Sequence, residues 1–125
     1  MVDAMIGIGL DVVDVERMRT VLNRRAAIKE RLFTRSEQHY AEASSDSVQR
    51  FAARFAVKEA VMKALGVGLG SVKFRDIEVV KLDSGKPTLE LHGQAAVLAD
   101  LAGIRKWHLS ISHTALVAEA IVVAE

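Results

Sequence analysis

The sequence contains no cysteine. Disulfides, thiolate metal sites, cysteine nucleophiles and iron–sulfur ligation are excluded, and the composition fits a reducing cytoplasm. Proline occurs once, so no proline-rich linker divides the chain. Nor is there an excess of charge of one sign: 17 Lys and Arg face 16 Asp and Glu, a net charge of +1. The global basic field that gathers nucleic acid is missing. Long hydrophobic runs are missing as well. The most apolar stretches, 6–13 and 115–123, are interrupted by Asp11 and Glu119, and both fall far short of the roughly 20 residues of a membrane-spanning helix. Met1-Val2-Asp3-Ala4 lacks the basic start and apolar run of a secretion signal. No segment repeats at a period of about 20–50 residues.

What is present is a chain of 125 residues, half of them apolar and 26% charged. That composition belongs to a globule with a buried core, and the length to a single domain spanning the whole chain. Residues 5–13 are nearly all apolar and read as a buried strand carrying one carboxylate, Asp11. Asp14 is placed to cap a helix over 15–25, with Val15, Met18, Val21 and Leu22 on its apolar side. Thr34-Arg35-Ser36-Glu37 has the spacing of a capping box and opens a short helix to about residue 43. Ser44-Ser45-Asp46-Ser47 is a turn and the cap of the longest helix, 48–65. Phe51, Ala52, Phe55, Ala56 and Met62 give that helix its apolar face, and Gly66 ends it. Strands over 74–82 and 88–92 flank a hairpin loop at 83–86, with Pro87 at a strand start where it is tolerated. An Ala-rich helix over 94–101 and strands over 107–112 and 116–124 complete the chain. Helices early and strands late predict an α+β domain, a mainly antiparallel sheet packed against the long helix.

Two carboxylates stand out. Glu59 lies four residues after Phe55 and three before Met62, which places it on or beside the apolar stripe of the long helix. An ionised carboxylate there needs a partner. One candidate is an i,i+4 pair with Lys63, worth only a few tenths of a kcal/mol. Asp11 ends an apolar run beside Gly7 and Gly9, glycines that admit close approach of another backbone or a ligand. A plainer role for Asp11 is to help Asp14 start the next helix. Two carboxylates at the edges of apolar elements also suit Mg²⁺, which takes one or two carboxylates, keeps waters and binds substrate phosphates.

Around these acids lie Arg54, Lys58 and Lys63 on the long helix, the glycines Gly66, Gly68 and Gly70, and Ser110-Ile111-Ser112-His113-Thr114 at a strand end. Cations, small hydroxyls and bare amides are phosphate-binding equipment. The glycine run is neither a Walker loop nor a dinucleotide fingerprint. The spacings of His39, His92 and His108 do not make a zinc site. Arg17, Arg24 and Arg25 offer a basic helix face that suits an acidic partner as well as solvent.

Three segments resemble the holo-[acyl-carrier-protein] synthases, the small class of 4'-phosphopantetheinyl transferases. They are Gly7-Ile8-Gly9-Leu10-Asp11 with Arg17 after five further residues, Arg54-Phe55-Ala56-Val57-Lys58-Glu59-Ala60-Val61-Met62-Lys63-Ala64-Leu65-Gly66, and Ser110-Ile111-Ser112-His113-Thr114. Gly85-Lys86-Pro87 is a weaker fourth. Val67 departs from the pattern, since members often carry Thr between these glycines. The resemblance implies transfer of the phosphopantetheine arm of coenzyme A to a serine of an apo acyl carrier protein, with release of 3',5'-ADP, in support of fatty acid biosynthesis. It implies Mg²⁺, or Mn²⁺, on Asp11 and Glu59, with Lys63 as the third catalytic residue. Coenzyme A contacts fall on Arg54, Lys58, Lys63, Gly66, Ser112, His113 and Thr114. Arg17, Val21 and Arg24 would dock the acidic carrier. A homotrimer with sites between subunits is implied as well.

The attacking serine belongs to the partner, and no nucleophile of this chain stands out. The expected base is a cation-bound water held by Asp11 or Glu59, or Glu59 itself. A coenzyme A-binding module without transferase activity, on the same scaffold, is the alternative. Intact Asp11 and Glu59 argue against it, because a pure binder could do without them.

Overall fold

A computed structural model describes residues 4–125. Met1, Val2 and Asp3, and with them the reading of the N-terminus as free of a secretion signal, lie outside the described residues. The chain runs β1 (Gly7–Asp14), α1 (Val15–Arg24), α2 (Ala27–Leu32), α3 (Arg35–Glu42), α4 (Ser47–Leu65), a 3-10 turn (Phe74–Asp76), β2 (Ile77–Lys81), β3 (Pro87–Leu91), α5 (Gly93–Leu101), β4 (Trp107–His113) and β5 (Val117–Ala124).

The expected α+β architecture is observed, with two antiparallel sheets instead of one. The first has the order β1-β5-β4 and the second is the β2–β3 hairpin. In the first, Asp11 of β1 lies opposite Ala120 of β5. Helix α4 is the axis of the core. Ala52, Ala53, Ala56, Val57, Ala60, Val61 and Met62 are all buried, so it is covered nearly all round and not along one stripe. Its small residues let β1 approach backbone to backbone. A Cβ placed on Gly7 would overlap the carbonyl oxygen of Ala64, and one on Gly9 that of Ala60. Phe33 and Phe51 close the other side, with ring centroids 4.8 Å apart.

Local capping follows the sequence. The Asp14 side chain accepts from the Arg17 amide at 2.9 Å. At α3, Thr34 and Glu37 form the full capping box, worth about 1 kcal/mol. Gly66 ends α4 in the left-handed region at φ 72°. At the start of α4, by contrast, Asp46 is the cap residue and makes no side-chain cap bond. The hydroxyls of Thr34 and Ser36 also donate to Glu78 Oε2 at 2.8 and 3.0 Å. Glu78 Oε1 meets His92 Nε2 at 3.0 Å. This cluster ties the β2–β3 hairpin to the start of α3.

Two elements differ from expectation. Helix α2 has no side-chain cap and no fully buried residue; only Ile28 and Leu32, half-buried, pack against the core, too short an apolar pattern to mark a helix in the sequence. Residues 74–76 turn as a 3-10 segment before the strand starts at Ile77.

Candidate active site

The close packing of β1 on α4 determines what faces what. Gly9 sits against Ala60, so Asp11, two residues along the strand, comes up beside Glu59, one residue back on the helix. Lys63 then reaches across from α4. Its Nζ donates to the Leu10 carbonyl at 2.8 Å and to Asp11 Oδ1 at 3.1 Å. The ion pair that forms is therefore Lys63–Asp11, between helix and strand, and not the intrahelical Glu59–Lys63 pair. Burial pushes the Glu59 carboxyl above the usual carboxylate range, the charge of Asp11 pushes it further, and Lys63 offsets part of the rise.

Both acids open on a cleft of about 650 Å³ lined also by Arg17, Val21, Phe55 and Phe74. Two carboxylates that repel each other suit a hard divalent cation, which relieves the repulsion. Among the described residues no group of three or more His, Asp or Glu gathers. The protein's share would thus be two carboxylates, the number Mg²⁺ commonly takes when substrate phosphate and water complete its octahedron.

A second cleft, about 360 Å³, lies between α3, α4, the β2–β3 hairpin and β4, where Tyr40, Arg50, Arg54, Lys81, Ser110 and His113 meet. Three cations surround the Tyr40 ring, with Arg54 Cζ at 3.9 Å, Arg50 Cζ at 4.1 Å and Lys81 Nζ at 5.4 Å from its centroid. Arg54 is 5% exposed. Burial lowers its pKa while Tyr40 and Glu37 oppose the change; a guanidinium nonetheless keeps its charge at neutral pH. Its Nε is buried with no hydrogen-bond partner among the described residues. An unsatisfied donor beside two more cations is a place for an anion. Glu59 lies five positions after Arg54, which sets them about 140° apart around the helix. The two clefts accordingly open on different sides of α4.

The other candidates distribute as follows. Arg17 and half-buried Val21 line the acidic cleft, while Arg24 is exposed in the last turn of α1. Gly66, Ser112 and Thr114 are exposed. Thr114 spends its hydroxyl oxygen on the amides of Leu116 and Val117.

Lys58 requires a correction. Expected as a phosphate contact, it is fully buried. Its ammonium donates to Glu37 Oε1 at 2.8 Å, to the Phe74 carbonyl at 2.9 Å and to the Ile77 carbonyl. With all three donors spent inside the core, it has none for a ligand. Tyr40, Arg50 and Lys81 were absent from the sequence candidates. The i,i+4 spacing of Arg50 and Arg54 was the available signal.

Known proteins resemble this chain closely. Residues 7–119 match the 4'-phosphopantetheinyl transferase superfamily. The holo-[acyl-carrier-protein] synthase of Koribacter versatilis is 42% identical over 123 residues, 97% of this chain and 98% of that one. The crystal structure of holo-[acyl-carrier-protein] synthase from Neisseria meningitidis superposes with a TM-score of 0.88 at 32% identity, covering 98% of this chain and 99% of that one. The Helicobacter pylori synthase in complex with coenzyme A gives 0.83 at 33% identity, over 94% of this chain and 99% of that one.

Proposed function

Because the chain belongs to the 4'-phosphopantetheinyl transferase superfamily, among the holo-[acyl-carrier-protein] synthases, we propose that it moves the 4'-phosphopantetheine arm of coenzyme A onto a serine of an apo acyl carrier protein. The observation that carries this reading is Asp11 and Glu59 facing one another across the β1–α4 contact, with Lys63 bridging to Asp11.

In the reaction the serine oxygen forms a bond to the phosphorus that carries pantetheine. The bond from that phosphorus to the bridging oxygen of the pyrophosphate breaks, and 3',5'-ADP leaves with the electron pair. The serine proton must go to a base. A water held by Asp11 or Glu59, or Glu59 itself, accepts it. Asp11 and Glu59 would hold Mg²⁺ or Mn²⁺, which when bound neutralises charge on the pyrophosphate. Lys63, 53% exposed on its side chain, has a donor left for a phosphate oxygen and stabilises charge developing there.

The cationic cleft at Arg54, with His113 on its rim, receives the 3'-phosphate of coenzyme A. Ser112 and Thr114, beside His113, and Gly66, at the far end of α4, contribute further coenzyme A contacts. Arg17, Val21 and Arg24 face the acidic carrier, and rim arginines steer its approach. A homotrimer accounts for two further features. The outer face of the first sheet leaves Ile8, Leu10, Val12 and Ile121 53%, 55%, 55% and 40% exposed, an apolar stripe that a second copy would cover. The two clefts, on different sides of α4, would be joined across such a contact. We assign the protein to the cytoplasm and to fatty acid biosynthesis; no described helix is long and apolar enough to cross a membrane.

The test is intact-mass analysis of an acidic apo carrier protein incubated with the chain, coenzyme A and Mg²⁺, with and without chelator. Metal-dependent gain of the phosphopantetheine mass is expected. Binding of coenzyme A without any gain across several carriers would favour the non-catalytic module.

A further inference from the structure

Lys58 and Glu37 are withdrawn from the ligand but not from the site. Both are fully buried, and both reach several elements at once. Glu37 Oε1 accepts from the Thr34 amide at 2.9 Å and from Lys58 at 2.8 Å, and Oε2 accepts from the Val79 amide at 2.9 Å. Lys58 in turn donates to the carbonyls of Phe74 and Ile77. One ion pair thereby clamps the start of α3, the middle of α4 and the segment 74–79.

That segment is a wall of the acidic cleft. The Phe74 ring stacks on Phe55, centroids 5.3 Å apart and planes 20° apart. Both rings line the cleft with Asp11, Glu59, Arg17 and Val21. The pair exists at a position where well-packed apolar residues could serve stability as well or better. Its distinctive product is the fixed position of the Phe74 backbone relative to Glu59, the residue after Lys58. We propose that Glu37 and Lys58 are positioning residues that hold the Phe55–Phe74 wall, and through it the carrier-facing side of the cleft, in register with Glu59. The inference rests on the carrier-docking reading above.

The test uses the full chain and three variants. Lys58→Met removes the donor to both carbonyls, Glu37→Gln removes the charge, and Phe74→Ala removes the ring while leaving the ion pair whole. Steady-state kinetics are taken separately against apo carrier and against coenzyme A. The expected result is a KM for carrier raised roughly tenfold in all three, at little change in the KM for coenzyme A. A purely structural pair would lower the active fraction, dropping the apparent kcat with both KM values unmoved, and would overturn the proposal. So would a normal KM for carrier in Phe74→Ala, the variant that keeps the clamp should the other two fail to fold. Amide hydrogen exchange of residues 76–79, run without substrate, should quicken in Lys58→Met, and unchanged exchange would also overturn the clamp. A wild-type chain that transfers nothing overturns the reading of function; the exchange measurement then still decides whether the clamp holds the wall.

Discussion

Lys63 leaves its own helix and donates to Asp11 on β1 at 3.1 Å, although Glu59 stands one helical turn before it. The contact is possible because Gly7 and Gly9 bring the strand backbone down onto α4. It also means that the ammonium is held at the strand edge, beside both acids, with part of its surface open to an incoming phosphate.

Lys63→Ala should therefore damage the chemical step more than binding of the carrier. Loss of one preorganised donor to a developing charge costs about 10²–10³ in kcat. Steady-state kinetics with saturating carrier should show this fall with the KM for carrier close to unchanged.

Glu59→Gln should lower the rate by roughly 10²–10⁴, the contribution of a positioned base. It should also stabilise the cation-free protein. The folded carboxyl is raised first by burial and then by Asp11. Above that raised value the ionised group costs stability relative to the unfolded chain, and below the ordinary glutamate value it does not. In chelator at neutral pH the variant should be more stable than wild type, by an amount that solvent screening keeps small. The gain should shrink as the pH falls through the folded value. Thermal unfolding across that range reads both.

The Glu78 cluster should shape the acid limb of stability. Burial pushes this carboxyl up, but hydrogen bonds from His92, Thr34 and Ser36 outweigh it and hold the pKa below its ordinary value. A depressed folded value contributes stability that is present above the unfolded pKa and lost as pH falls through the folded one. Glu78→Gln should thus be less stable than wild type at neutral pH, and the two should converge in acid. Urea midpoints at a series of pH values would show it.

Gly9→Ala should prevent proper folding. The added methyl would overlap the Ala60 carbonyl oxygen, a backbone atom that cannot step aside, so a cost of about 3 kcal/mol or more is expected. Circular dichroism melts and soluble yield provide the measurement.

The outer sheet face gives a test of assembly. Ile121, opposite Leu10 across the β1–β5 ladder, is 40% exposed. Ile121→Lys should sediment as a monomer, keep its helical spectrum and lose transfer. A variant that remains trimeric and active would rule out this face as the contact.

Much of this protein is decided within short stretches of chain. Asp14 caps α1, Thr34 and Glu37 close the box on α3, and Gly66 ends α4, because each bond spans at most four residues and depends on little else. The two carboxylates were legible for a similar reason: a charge amid apolar neighbours is conspicuous on a strand or helix of known period. Helix α2 was not legible, since its six residues set only Ile28 and Leu32 against the core, too short a pattern to read. Nor was Lys58, which as a bare helical position reads as a solvated cation. Its partner Glu37 is 21 residues away, and Lys63's partner Asp11 is 52 away. Periodicity tells which side of a helix a residue takes, and so the sequence alone determined most of the elements, the caps of α1 and α3, the end of α4 and the acids on offer. Which strand lies against that side was decided only by tertiary packing, by whether two backbones can touch at Gly9 and Ala60. That contact gave Lys63 to Asp11, while the packing of α3 and residues 74–79 on another side of α4 made Lys58 a buried clamp.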